Sequence, residues 1–430
     1  MFVKILNNDG ILRDSFDDFE SFVWNERLTD PGDFTISVPY SVDVLNKFPY
    51  GTLVQASNSD VLMMVDGYSV SDETSRKNTL TIKGHSLDMV FKGRPAVKSF
   101  DFKEENSNDD EKWEYGDADP PEGANPLQPL ALMTDILNFV DADHYMDERL
   151  KNLVMPFEYL AINEKDSSMP SRPLWHYEVD RSRNVYDVMK EICSSDGLYF
   201  TTASFVPPTV AARTVELKNK DDRPFRFIFY YPQNKFNTVS FTDYKDDYQS
   251  LQIESNFQDF MSGAVVESDN SVLMSTAQGF GPAALPSLAN RFSLVSEAFS
   301  DNKNIYELER FDKLVKTPVE TYTGSASVSL TMSGEFPYDR SKKFSMFSQQ
   351  GLKTYYLGDV VRVKSGMFKN IFGEEEIAMR ITEYIRTQDA SGYKEYPTLN
   401  FFTGLDSADR ALPISPPIAK IFKVSSLKSM

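Results

Sequence analysis

The sequence predicts a mainly β fold: two related small β-barrel domains, or sandwiches of the same strand pattern, with an α+β domain inserted between them. Three observations carry this expectation. Within residues 33–39, Phe34, Ile36 and Val38 alternate with Thr35 and Ser37, the period of two that buries one face of a strand and wets the other. The pattern of residues 51–84 returns at residues 358–404. The clearest helical spacing lies in the middle of the chain, at residues 127–140 and 184–195.

The repeat is one of pattern more than identity. Gly51-Thr52-Leu53-Val54 lies against Gly358-Asp359-Val360-Val361, and the stretch from Met63 to Tyr68 lies against that from Met379 to Tyr384. Thr79-Leu80-Thr81-Ile82 is set against Thr398-Leu399-Asn400-Phe401. Each copy is a short strand opened by Gly, a turn, a long strand reaching Tyr, a polar hairpin and a closing strand.

In chain order, residues 1–98 read as consecutive strands of the first barrel domain. Asp30-Pro31-Gly32-Asp33 has the residue types of a tight turn. Strands are expected at residues 52–56, 61–69 and 79–83, parted by Ser57-Asn58-Ser59-Asp60 and by a charged hairpin at 72–78, with a helical turn at 87–91. Residues 99–232 form the inserted α+β domain. It opens with an acidic loop, 101–122, where residues such as Glu104, Asp110 and Asp117 are opposed only by Lys103 and Lys112. Leu130, Met133, Ile136, Leu137 and Val140 fit one helix face, and Asn125-Pro126 suits its start. Val185, Val188, Met189 and Ile192 fit another at i, i+3, i+4 and i+7, capped by Ser182 or Asn184 and ended by Gly197. Strands follow at 198–203, 214–218 and 227–231.

Residues 233–275 and 321–405 are assigned to the second barrel domain, with strands at 251–255 and 263–267. A second insertion, 276–320, holds a Gly-, Ala- and Pro-rich loop at 277–288 and a short helix near 304–313. Val328, Leu330 and Met332 alternate with Ser329 and Thr331, a strand opening the second copy. The C-terminal tail, 406–430, has Pro413, Pro416 and Pro417 followed by Lys420, Lys423 and Lys428 without an acid, as a segment that docks on something.

Composition narrows the function. The chain has 430 residues and a formal charge of −19. Such a surface repels phosphate backbones, so no specific nucleic-acid binding is expected. No apolar run approaches the roughly 18 residues of a membrane helix, and the N-terminus lacks the sections of a signal peptide. The chain is therefore expected to be made in a cytoplasm without stable membrane insertion. The lone Cys193 excludes an intramolecular disulfide and a multi-cysteine zinc site.

A search for chemistry nominates no catalytic, cofactor-binding or metal-ligating residue. Asp141, Asp143 and His144 could offer ligands to a divalent cation, but nothing supplies the rest of a coordination sphere, and a solvated helix end explains them. His85 adjoins Ser86 without a G-x-S-x-G elbow, and neighbours in sequence do not form a catalytic pair. The acidic run lacks the spacing that wraps calcium. Cys193 lies off its helix stripe with no supporting His, as an inert thiol. Phe225, Phe227, Phe229, Tyr230 and Tyr231 could stack on bases or sugars, but without basic residues along the same face they read as strand core.

Several strings resemble one family. WNERLTDPGDFTISVP at residues 24–39, MMVDG at 63–67 and IKGHSL at 82–87 resemble the opening of a family of siphovirus tail proteins. NVYDVMKEICSSDGL at 184–198 is similar to its middle helix, and YLGDVVRV at 356–363 to a late strand. The resemblance spans roughly residues 20–405, apart from the acidic loop at 101–122 and the loop at 277–288. It implies a tail-hub type of fold and a structural, non-enzymatic virion protein without cofactors. The implied protein is a homotrimeric baseplate hub at the tail tip, which joins a hexameric tail tube or distal tail protein to a spike, fibre or tape-measure protein around a DNA channel. Two other classes stay open: a tail-associated cell-wall or glycan hydrolase, whose acid pair or zinc ligands are not visible, and a carbohydrate-binding tail-tip adhesin.

Overall fold

In a computed structural model of the chain, residues 1–71, 78–96, 113–116, 127–138, 157–169, 176–179, 183–208, 210, 212–215, 223–242, 248–256, 263–267, 272–276, 292–296, 325–332, 342–348, 350–372 and 375–401 are described. The first unit comprises β1 (Val3–Leu6), β2 (Leu12–Phe16), β3 (Ser21–Arg27), β4 (Asp33–Pro39), α1 (Val42–Lys47), β5 (Leu53–Ala56), β6 (Met63–Ser71) and β7 (Thr79–Ser86), followed by a 3-10 helix (Leu87–Gly93). Its strands run β3-β4-β7-β6-β5-β1-β2, every neighbour antiparallel. Alternation turns Phe22, Trp24, Phe34, Ile36, Met63 and Ile82 to a single core. Phe22, Trp24 and Phe34 stack in series, at 6.1 and 5.7 Å between ring centres. Each such side chain contributes about 1.5–3 kcal/mol by leaving water.

The insertion contains β8 (Trp113–Gly116), α2 (Pro129–Asn138), β9 (Phe157–Ile162), β10 (His176–Val179), α3 (Val185–Ser195), β11 (Tyr199–Ala203), β12 (Ala212–Thr214) and β13 (Phe225–Tyr230). The sheet β11-β13-β9-β12 is buried on both faces. Phe157, Tyr159, Phe225, Phe227 and Phe229 meet α2 and α3, while Ile162, Ala203, Ile228 and Tyr230 meet the second unit. Asn184 caps α3 by accepting a hydrogen bond from Asp187 N at 2.9 Å, and Gly197, at φ +71°, ends it. The expected acidic loop is interrupted by β8, which pairs with β10. Two aromatics among acids are too short a pattern to register as a strand, and β10 supplies the backbone partners that sequence does not show.

The second unit comprises β14 (Ser240–Thr242), β15 (Tyr248–Asn256), β16 (Gly263–Glu267), β17 (Val272–Thr276), β18 (Phe292–Ser296), β19 (Ser325–Met332), β20 (Lys342–Phe344), β21 (Lys353–Tyr355), β22 (Val360–Lys364), α4 (Gly366–Phe372), β23 (Glu376–Asp389) and β24 (Gly392–Phe401). Its strands run β15-β19-β24-β23-β22, with β14 beyond β22. Strand β16, assigned by sequence to the second barrel domain, pairs with β17 and β18 in a separate three-stranded sheet. The short helix expected at 304–313, the loop at 277–288 and the tail at 406–430 lie outside the described residues.

The duplication is visible in the hydrogen bonds. Thr52 N donates to Pro49 O and Asp359 N to Tyr356 O, closing two turns in which Gly51 (φ +83°) and Gly358 (φ +86°) hold the third position, the site of a type II turn that needs positive φ. Gly51 N donates to Val65 O at 2.9 Å and Gly358 N to Ile381 O at 2.7 Å. Val54 faces Met63 as Val361 faces Met379. A register shift follows Val65 in one copy and Ile381 in the other. The equivalence extends outward: Trp24 pairs Phe34 and Phe34 pairs Gly84, as Ile253 pairs Val328 and Val328 pairs Leu399. So β3, β4, β5, β6 and β7 correspond to β15, β19, β22, β23 and β24. The closing strands align Gly84 with Leu399, not Thr79 with Thr398 as the sequence pattern implied. The second copy also opens at β15, before the alternating strand β19.

The mainly β fold with an α+β insertion stands, but among the described residues neither unit closes on itself as a barrel. Strand β23 is 14 residues long. Its first half pairs with β22 and its second half with β3, so the two units fuse into one 13-stranded sheet.

Candidate functional site

The seam between β23 and β3 carries an elaborate polar network among the described residues. Strand periodicity puts Phe22, Trp24 and Glu26 on one face and Tyr384 and Arg386 on the facing strand, with Arg386 opposite Trp24 and Tyr384 opposite Glu26. Glu26 and Arg386 are each 2% exposed and form an ion pair. Glu26 also accepts hydrogen bonds from Ser59 Oγ at 2.6 Å and Trp24 Nε1 at 3.3 Å, and Tyr356 OH donates to its other oxygen at 3.4 Å. Arg386 Nη2 donates to Asn58 O at 3.0 Å, and its guanidinium lies 4.8 Å from the Tyr384 ring centre. Burial opposes the charge of Arg386, but attraction to Glu26, joined by Tyr393, Tyr384 and Glu395, together outweighs it and raises the pKa above the ordinary arginine value. The arrangement holds two chain segments 360 positions apart in one register.

Around this pair the three units meet. A cavity of about 290 Å³ is bounded by Gln55 and Asp60 of the first unit, Ser204 and Phe205 of the insertion, and Lys343 and Phe344 of the second unit. Burial raises the Asp60 carboxyl pKa, against a 3.0 Å hydrogen bond from Ser345 Oγ that lowers it. On the second unit, Asp359 accepts hydrogen bonds from Gln233 N at 2.7 Å and Tyr356 N at 2.9 Å and pairs with Lys235 at 2.7 Å. That fastens the chain leaving the insertion to the turn at Gly358. These groups join elements; none is arranged as nucleophile, base and oriented proton acceptor.

The residues weighed in sequence for chemistry are dispersed. His85 pairs with Asp66 on a half-exposed surface, while Ser86, on the opposite strand face, is buried and donates to Asp88. Asp141, Asp143 and His144 lie outside the described residues, as does most of the acidic run; His176 sits in β10. Cys193 is buried at 1% exposure, and burial pushes its thiol pKa up, leaving it protonated. Phe225, Phe227, Phe229 and Tyr230 are core, as the strand reading expected, and Tyr231 donates to Asp196 at 2.8 Å. Among the described residues no group of three or more His, Cys, Asp or Glu could hold a metal ion, and no helix is long and apolar enough to cross a membrane. Sequence reasoning passed over Glu26 and Arg386. Each is a charge two positions from a large aromatic on an alternating strand, a signal that marks a buried charge once the strand face is known.

Comparison with known proteins follows the same lines. The profile of the family described as Siphovirus ReqiPepy6 Gp37-like protein matches residues 2–243. Among solved structures, the 43 kDa tail protein of prophage MuSo2 from Shewanella oneidensis is similar at a TM-score of 0.53 and 10% identity, covering 93% of this chain and 96% of that one. A tail protein from Neisseria meningitidis MC58 is similar at 0.51 and 10%, with the same coverages. At such identity the likeness is one of fold. No curated protein matches the sequence.

Proposed function

As a member of the siphovirus Gp37-like family of tail proteins, this chain is a phage tail protein, and we propose that it is the hub of the tail tip: a homotrimer joining a sixfold tube to a threefold spike or fibre. The observation that carries this reading is the duplication. One chain holds two units with the same strand order, the same glycine turn and the same register shift. Three chains then present six near-equivalent units to a hexameric ring while keeping threefold symmetry on the other side. The seam at Glu26 and Arg386 fixes the angle between the units, which a ring requires.

Its work is geometric and electrostatic, not catalytic. A chain of charge −19 lining a channel keeps DNA off the wall and lets it slide. The tube, the distal tail protein, the spike and the tape-measure protein are the partners this role calls for, at the tail tip of the virion. Light scattering on the purified chain is the test. A mass of three 48.9 kDa chains, with threefold rings in negative stain, is expected; a monomer persisting at high concentration would overturn the trimer for the isolated chain.

A further inference from the structure

The two equivalent long strands, β6 and β23, differ in one respect: one has its outer edge filled. Residues 383–388 of β23 pair with β3 of the first unit. The matching residues of β6 begin at Gly67 and run through Ser71. On the side away from β7, β6 pairs with β5 through Met63 and Met64. Among the described residues, positions 67–71 have no strand on that side. Tyr68 is 56% exposed where its counterpart Tyr384 is 1%, and Val70 is 48% exposed where Arg386 is 2%. Sheet proteins ordinarily guard such an edge with Lys, Pro or another charge. Gly67-Tyr68-Ser69-Val70-Ser71 carries none.

The occupant follows from the repeat. What fills the β23 edge is β3, and the strand equivalent to β3 is β15, which among the described residues pairs with β19 alone. Leu251 packs on the second core as Phe22 does on the first, which agrees with that equivalence. We propose that β6 of one chain pairs antiparallel with β15 of a second copy, repeating between chains the seam that β23 and β3 form within one. Carrying the register across places Tyr68 opposite Ser255, Val70 opposite Ile253 and Ser71 opposite Gln252. The contact is head to tail, so it closes into a ring or runs on as a filament. Closure at three rests on the trimer proposed above; the strand pairing does not.

Paired cysteines test the register, because directly opposed strand positions lie within the reach of a disulfide. Ser71→Cys with Gln252→Cys should give covalent trimers under mild oxidation on a non-reducing gel. Val23→Cys with Thr387→Cys, the same relationship inside one chain, should give an internally linked monomer and serves as the positive control. Buried Cys193 stays in place. A trimer by light scattering that does not cross-link between 71 and 252, while the control does, overturns the pairing and leaves the trimer standing. Cross-linked ladders beyond three chains support the pairing and overturn closure at three. A monomer that never cross-links overturns both.

Discussion

The two long strands β6 and β23 share turn, register and bulge, yet side chains at matching positions have opposite fates. Tyr384 and Arg386 lie under 3% exposed, whereas Tyr68 and Val70 are about half exposed. Both strands carry the register shift at the matching place. The difference is the neighbour: β3 covers one edge, and no described strand covers the other. Side-chain chemistry has followed the neighbour. The covered copy carries an arginine that only a partner such as Glu26 makes tolerable in the interior, and the open copy carries no charge from Gly67 to Ser71.

The largest expected effect breaks the covered side. Arg386→Met leaves Glu26 buried without its cation and should cost about 3–5 kcal/mol in urea unfolding. Adding Glu26→Gln should recover most of that loss, since replacing both charges is far cheaper than stranding one. If the double variant is no better than the single, the pair is not what holds the seam.

The paired glycine turns sharpen the comparison next. Both need positive φ, so alanine strains either by about 1–2 kcal/mol. A Cβ on Gly51 meets open space, whereas on Gly358 it meets Pro232 Cγ at 2.5 Å and Leu28 Cδ1 at 3.1 Å. Overpacking adds about 1–3 kcal/mol there, so Gly358→Ala should be clearly the worse in thermal melts, and equal effects would contradict the contact of this turn with the chain leaving the insertion.

A third prediction contrasts a buried charge held in an ion pair with one held chiefly by hydrogen bonds. Asp88, just after β7, is 6% exposed and held by the Ser86 hydroxyl and by backbone N–H groups. Burial raises its carboxyl pKa to about 6, against the lowering effect of those hydrogen bonds. The folded state therefore binds the proton more tightly than the unfolded chain, and the stability this gives is present below pH 4 and lost as pH rises from about 4 through 6. Asp88→Asn cannot ionise, so it should match the natural protein at pH 4 and exceed it by about 2–3 kcal/mol at pH 8. Urea midpoints at pH 4, 6 and 8 give the slope; a gain that did not grow with pH would place the carboxyl's pKa at its ordinary value.

How much of this was legible depended on distance along the chain. Alternation at Phe34, Ile36 and Val38, the stripe of α3 and the cap at Asn184 are local patterns, and they fold as written. The glycine-opened strands were also readable, because positive φ leaves a residue-type mark. The closing strand was misaligned because Thr79-Leu80 and Thr398-Leu399 look alike; register there is set by the bulges after Val65 and Ile381, which leave no such mark. The seam was invisible because Glu26 and Arg386 meet only after 360 positions of chain have folded. The open edge could be read only after the covered one was seen, since the uncharged run Gly67 to Ser71 does not by itself show which strand lies beside it.

The smallest effect on the fold should be the most informative about the open edge. Val70 is half exposed, so Val70→Asp should change the unfolding free energy of the chain by less than about 0.5 kcal/mol. If β15 of another copy lies against it in the proposed register, the same change puts a carboxylate opposite Ile253 in a newly buried pair, and a charge without a partner is costly there. Trimer mass should then fall toward that of the monomer at micromolar concentration, with melting of the subunit unmoved. Tyr40→Asp, at another exposed apolar residue (42% exposed) but not on the long strand's open edge, should leave the trimer intact. Equal loss of assembly in both variants would mean that added charge alone disperses the chains, and that the edge of β6 has no special part in joining them.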